Sequence, residues 1–149
     1  MKFASVLLMV LFFIFGCSKE QKVMVHTDKP AKIAPEKFVT TPSGLKYAVM
    51  ADGRGEQAQP GNKVSVHYSV WSTNGQLYDS SLKRNKPFQF VLGQGRVIPG
   101  WDEGVALMKV GDVWQFIVPP QLAYGEKGAG NLIPPNATLI FEVQLLSVE

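Results

Sequence analysis

Val97-Ile98-Pro99-Gly100-Trp101-Asp102-Glu103-Gly104-Val105 is the stretch on which the fold turns, because here alone in the later part of the chain the apolar spacing departs from two. Trp101, Val105 and Met108 fall at i, i+4 and i+7. Asp102 and Glu103 stand at the start, Lys109 at the end and Gly111 just beyond, where a helix macrodipole favours acids and base. The spacing predicts one short helix over Pro99 to Met108. Trp101 stands at its N-terminus, where a small polar cap is the ordinary choice. A large flat ring at that point suggests the floor of an apolar pocket, with aromatics from strands and loops as walls.

On either side the period is two. Leu45, Tyr47 and Val49 alternate with Lys46 and Ala48; Val64, Val66, Tyr68 and Val70 with Ser65, His67 and Ser69; Phe88, Phe90 and Leu92 with Gln89 and Val91. Trp114, Phe116 and Val118 alternate with Gln115 and Ile117, and Leu139, Phe141, Val143 and Leu145 complete the set. These are five half-buried strands, and Asn74-Gly75 marks a tight turn after the second. One amphipathic helix is the available cover for the sheet, so the fold class is α+β. Pro119 to Asn136, with Pro119-Pro120, Gly125, Gly128, Gly130 and Pro134-Pro135, is a long loop of the kind that is usually functional.

The chain's 149 residues, 46% hydrophobic and 18% charged, fit a single globular domain. Its formal charge of +3 resides in the N-terminal part, since Pro42 to Glu149 carry nine Lys plus Arg against nine Asp plus Glu. A neutral domain without a basic stripe argues against nucleic-acid binding. Residues 1–16, with Lys2 and an apolar run from Phe3 to Phe15, are too short for the roughly 20 apolar residues of a bilayer span and read as a secretory signal, an uncleaved anchor being the alternative. Ile14-Phe15-Gly16-Cys17 resembles a bacterial lipobox, which implies acylation of Cys17 as the mature N-terminus. Cys17 is the only cysteine, so no intrachain disulfide forms. Residues 17–41, rich in Lys, Thr, Pro and Ala, read as the lipidated N-terminus and a flexible tether, and residues 42–149 as the folded domain.

The familiar catalytic signatures are missing. His26 and His67 have no metal-ligand spacing, no nucleophile elbow or phosphate loop occurs, and Gly93-Gln94-Gly95 lacks the rest of a dinucleotide motif. Asp79-Ser80-Ser81 is either a nucleophile with a neighbour or, more simply, a turn-forming cluster. What remains is a set of apolar and aromatic groups near strand ends and loops, Tyr68, Tyr78, Phe88, Trp101, Tyr124, Ile133 and Phe141, divided between core packing and a pocket. Tyr124 stands out because it lies in the long loop.

Val66-His67-Tyr68, Tyr78-Asp79-Ser80-Ser81, Arg84-Asn85-Lys86-Pro87-Phe88, Val97-Ile98-Pro99-Gly100-Trp101, Ala123-Tyr124-Gly125 and Ile133-Pro134-Pro135-Asn136-Ala137-Thr138-Leu139-Ile140-Phe141, in that order, resemble the FK506-binding-protein type of peptidyl-prolyl cis-trans isomerase. The resemblance implies a five- or six-stranded antiparallel sheet wrapped around one short helix. It implies a pocket floored by Trp101 and lined by Tyr68, Tyr78, Phe88, Val97, Ile98 and Phe141, with Leu132 and Ile133 as a loop wall. Tyr124 and the Ile98 N–H would donate to substrate carbonyls, and Asp79, partnered by Arg84, would stand near the twisting amide. Tyr78, Ala129 and Arg96 depart from residues common in the family, Arg96 standing where small eukaryotic members tend to carry an acid. No cofactor or metal is implied. The expected partners are proline-containing polypeptides, FK506- or rapamycin-type macrolides and, through the lipid, a membrane. The expected form is a monomer in the bacterial cell envelope, at the periplasmic face or surface of the outer membrane. A non-catalytic chaperone or peptide-binding module on the same anchor is the alternative.

Overall fold

The computed structural model describes residues 23–149. The signal sequence expected over residues 1–16, the lipidation expected at Cys17 and the first tether residues, through Lys22, lie outside the described residues. Among the described residues no helix is long and apolar enough to cross a membrane.

The helix α1 spans Pro99–Val105. Ile98 enters it in extended conformation and Pro99 supplies a preset φ at the first position, which suits a helix start. It is shorter than the apolar spacing predicts. Leu107 and Met108 donate instead to Gly104 and Val105 carbonyls three residues back, so the last turn tightens and unwinds, yet Met108 stays fully buried. Lys109 therefore lies beyond the helix and pairs with Asp52 at 3.2 Å.

Seven strands form one antiparallel sheet: β1 (Val39–Thr40), β2 (Lys46–Ala51), β3 (Lys63–Ser72), β4 (Leu77–Ser80), β5 (Phe88–Val91), β6 (Val113–Val118) and β7 (Leu139–Val148). The spatial order is β1-β2-β6-β7-β3-β4, and β5 also pairs with β3. The five strands read from alternation are all present, and β1 and β4 are added at the edges. The long β3 carries two partners on one edge, β5 along Lys63 to Val66 and β4 along Ser69 to Trp71. The chain between them, residues 81–87, leaves the sheet, so β4 and β5 follow each other along the same edge of β3.

One face of the sheet packs on α1. Val64, Val66, Val70, Phe116, Val118, Leu139, Phe141, Val143 and Leu145 form the core with Trp101, Val105 and Met108. The helix sits very close to β6 because Gly100 and Gly104, one turn apart, face it. A Cβ on Gly100 would lie 2.6 Å from Val118 Cγ1, and one on Gly104 would lie 2.6 Å from Phe116 Cε1.

The opposite face is covered by residues 24–31, and this corrects the expectation of a flexible tether up to Thr41. Met24 is buried and its N–H donates to Gln144 Oε1 at 3.0 Å. The Ala31 N–H donates to Glu142 Oε1 at 2.6 Å, and Gln115 Nε2 donates to Ala31 O at 2.9 Å. Trp71, 0% exposed, donates from Nε1 to Asp28 O at 3.0 Å. Long polar side chains on the outer sheet positions thus take up the backbone groups of a segment that has no apolar period of its own. A 3-10 turn over Pro35–Lys37 and the pairing of β1 with β2 continue the packed chain into the domain.

Candidate functional site

Trp101, 4% exposed, is held in the first turn of α1 and forms the base of a cavity of about 210 Å³. Four rings surround it. Tyr68, Phe88 and Phe141 meet it edge to face, with centroids at 5.1, 6.1 and 5.4 Å, and Phe90 is tilted at 5.8 Å. Such geometry is the favoured one for aromatic pairs and fixes the floor's orientation. The indole N–H of Trp101 has no hydrogen-bond partner among the described residues, a local inconsistency of the kind that binding sites retain.

The cavity is lined by Tyr68 and Val70 of β3, Asp79 of β4, Phe88 of β5, the loop residues Arg96, Val97 and Ile98, Trp101, then Tyr124, Leu132 and Ile133 of the long loop, and Phe141 of β7. Ten of the expected residues thus meet at one place. Arg84 acts from outside the lining through Asp79, and Tyr78 is not in the lining. Tyr78, half-buried, packs against the core cluster without reaching the cavity. Sequence reasoning passed over Val70 as a lining residue, although it follows Tyr68 by two on the same strand. Arg96, which departs from the family pattern, lines the cavity as well.

On one wall stands a single polar network. Tyr68 donates its hydroxyl to Asp79 Oδ2 at 2.5 Å, the Ser80 N–H donates to Asp79 Oδ1 at 2.8 Å, and Arg84 Nη1 closes on Asp79 Oδ1 in an ion pair. Arg84 Nη2 also donates to the Tyr68 hydroxyl at 3.1 Å. Burial alone would push the Asp79 carboxyl up, but hydrogen bonds from Arg84, Tyr68 and Ser80, with the guanidinium charge, outweigh it and hold the group below its usual value. Tyr68 is pushed up to about 12, first by burial and then by its bond to Asp79. At neutral pH the wall therefore holds an ionised carboxylate and a neutral phenol.

Opposite, the loop from Pro119 to Thr138 is a built structure. Two 3-10 turns, Pro120–Leu122 and Gly125–Lys127, flank Tyr124. Gly128, at φ +63°, passes so near the chain that a Cβ would lie 2.3 Å from Ile133 O, and Ala129 bridges to Ile133. These contacts aim Leu132 and Ile133 at the cavity. Tyr124 is 42% exposed, and its hydroxyl makes no hydrogen bond among the described residues. Burial of part of the ring, with the negative charge of Asp79, raises its pKa, so it remains a donor across the neutral range. The N–H of Ile98, just before the helix, is likewise not engaged by the backbone.

The loop that carries Arg96, Val97 and Ile98 is pinned from the helix. Asp102 accepts from the N–H of Gly93 at 2.8 Å and of Gly95 at 3.0 Å. Both glycines have positive φ, +78° and +66°, so the turn presents its amides inward. His67 lies away from the cavity, bonded through Nδ1 to Ser81 Oγ at 2.9 Å, and burial lowers its pKa. Ser81 is fully buried and also accepts from the Tyr68 N–H at 2.8 Å, a structural role rather than a nucleophilic one. Asp79 and Ser80 lie on β4 and the turn begins only at Ser81, which corrects the expectation of a turn-forming cluster. No group of three or more potential metal ligands gathers among the described residues.

Residues 54–146 match the family model of the FKBP-type peptidyl-prolyl cis-trans isomerase. FK506-binding protein 1 of Dictyostelium discoideum is 49% identical over 104 residues, which cover 70% of this chain and 97% of the relative. The FK506-binding protein of Neisseria meningitidis serogroup B is 48% identical over 105 residues, 70% of this chain and 96% of that one. Among solved structures, the crystal structure of AtFKBP13 superposes with a TM-score of 0.72 at 36% identity, covering 75% of this chain and 98% of that chain.

Proposed function

The chain belongs to the FKBP-type peptidyl-prolyl cis-trans isomerase family, and we propose that its cavity accelerates rotation about Xaa-Pro bonds by binding the twisted amide without covalent chemistry. Amide resonance sets a barrier of about 18–20 kcal/mol to this rotation. Twisting uncouples nitrogen from carbonyl and lowers the polarity of both. An apolar, aromatic cavity favours that state over the planar one, and only such differential binding speeds the step. The observation that carries the reading is the Trp101 floor, ringed by four aromatics and faced by one loop hydroxyl that no other described residue engages.

In this reading the proline ring lies on Trp101 between Tyr68, Phe88 and Phe141. Tyr124 and the Ile98 N–H hold the carbonyls that flank the turning bond. Asp79, kept ionised by Arg84 and Tyr68, places a fixed negative charge at the wall where the amide turns. Every role is electrostatic or steric, so the reaction needs no proton transfer. The direct test is exchange of a Leu-Pro tetrapeptide with the full chain: acceleration at micromolar protein supports the reading, and none rejects it. Leu132, 52% exposed, with Tyr124 and Phe88, forms an apolar rim that also suits holding unfolded clients, and we propose the same cavity as the site for FK506-type macrolides.

The reading extends to location. We propose that residues 1–16 are removed and that Cys17 carries lipid, anchoring a monomeric isomerase in the bacterial envelope, where it serves proline-containing polypeptides. The lipobox-like Ile14-Phe15-Gly16-Cys17 and the lone cysteine support this. Because the chain is packed from Met24 on, the span back to Cys17 is at most about 25 Å, which holds the domain near the lipid surface. Cys17→Ser is expected to leave the protein unprocessed or soluble; a normally processed, membrane-bound variant overturns the anchor.

A further inference from the structure

The charged groups at the cavity are unequally committed. Asp79 takes three donors and is ion-paired with Arg84. Asp102, in the first turn of α1 and outside the lining, accepts from two backbone N–H groups that pin the adjoining loop. Arg84 is bound to Asp79 and to the Tyr68 hydroxyl. Arg96 alone remains. It lines the cavity, it is exposed, and it forms no ion pair and no side-chain hydrogen bond among the described residues. Its place is also not accidental drift of a surface chain, since Gly95 on one side is fixed by Asp102 and Val97 on the other lines the cavity.

We propose that Arg96 is a specificity-determining residue that favours substrates carrying a carboxylate side chain next to the proline. The proposal rests on the isomerase reading of this cavity. Arg96, Val97 and Ile98 line the cavity beside Trp101, so a side chain next to a proline held on Trp101 comes within reach of the one guanidinium in the lining, which has no partner among the described residues. The planar, always charged guanidinium is suited to a carboxylate in two-point contact. Since the arginine is exposed, the gain matches that of solvent-exposed ion pairs, about two- to fivefold in kcat/KM, and it is screened by salt.

The test compares Glu with its neutral isostere Gln in two series, Ala-Xaa-Pro-Phe and Ala-Leu-Pro-Xaa, with the full chain at low ionic strength. In at least one series Glu is expected to exceed Gln by about two- to fivefold, and the ratio to approach one at about 1 M salt, where the Debye length is about 3 Å. Arg96→Gln should bring the ratio to one and Arg96→Glu should invert it. The ratio is read, not the absolute rate, so a general loss of activity in a variant does not mimic the result. A wild-type ratio of one or less in both series overturns the proposal, as does a ratio that survives Arg96→Gln or is insensitive to salt. Acceleration of the Leu-Pro parent with no Glu preference removes this proposal alone; no acceleration of any peptide removes the isomerase reading with it.

Discussion

Removing the same atom from two tyrosines of this cavity should have opposite consequences. The Tyr124 hydroxyl has no partner among the described residues and the residue is 42% exposed, so Tyr124→Phe leaves no buried group unsatisfied. Its stability should stay within about 0.5 kcal/mol of the parent, less than about 3 °C in Tm. If that hydroxyl donates to a substrate carbonyl in the transition state, kcat/KM should fall by about two- to tenfold, the equivalent of one net hydrogen bond of about 0.5–1.5 kcal/mol. The Tyr68 hydroxyl is different, for it donates to Asp79 at 2.5 Å and accepts from Arg84 at 3.1 Å. Tyr68→Phe strips a charged acceptor of its donor. A bond to a charged group contributes about 1.5–3 kcal/mol when dry, and partial exposure of Asp79 and Arg84 brings the expected loss to about 1 kcal/mol, or about 3–7 °C in Tm. The assay is thermal unfolding followed by ultraviolet circular dichroism, alongside Leu-Pro exchange with kcat and KM separated. A fall in kcat for Tyr124→Phe shows a bond made in the transition state, whereas a rise in KM alone shows uniform binding. The reasoning is refuted if Tyr124→Phe loses as much stability as Tyr68→Phe, or if it leaves kcat/KM unchanged.

Asp79 is held below the usual carboxylate range and Tyr68 at about 12, so kcat/KM is expected to be flat between about pH 5 and 9; a bell-shaped profile in that window would show a proton transfer the mechanism does not contain. The depressed pKa of Asp79 also means that its contribution to stability is present above the unfolded value, about 3.9, and is lost as pH falls through the folded value, which acid titration of Tm checks against Asp79→Asn. Gly104→Ala places a Cβ 2.6 Å from Phe116; overpacking costs about 1–3 kcal/mol and better helix propensity returns up to about 1, so Tm should fall by several degrees, and a rise would show that the helix does not bear on β6 as described. Asp102→Ala frees the loop from Gly93 to Ile98 and should raise KM severalfold with a smaller change in kcat; unchanged KM would show that the loop does not need its pin.

Alternation and one break in it were enough to read the main strands and the helix, because those segments bury one face against one core. The short edge strand β4 escaped the pattern because only Leu77 and Tyr78 of its four residues are apolar, and because a bulge opposite Val70 and Trp71 disturbs its register. The packed N-terminal segment escaped for a different reason: its anchorage is its own backbone, taken up by Gln115, Glu142 and Gln144 and by the indole of Trp71. A signal did exist, since Trp71 follows Val70 on a strand and so points away from the core, where a tryptophan requires cover. The candidate site was legible largely through motif resemblance. Its geometry added what motifs lack: Val70 joins the lining, Tyr78 leaves it, and Arg96 stands in it without a partner among the described residues.

The central claim, that the cavity lowers the rotational barrier by non-covalent binding of the twisted amide with no proton transfer, meets its most direct test in the solvent isotope effect on kcat for Leu-Pro exchange. No bond to hydrogen is made or broken in the proposed step. The account requires a ratio of rates in water and heavy water close to one across the flat pH range. A ratio of about two or more, of the size expected when a positioned acid or base moves a proton in the transition state, contradicts it.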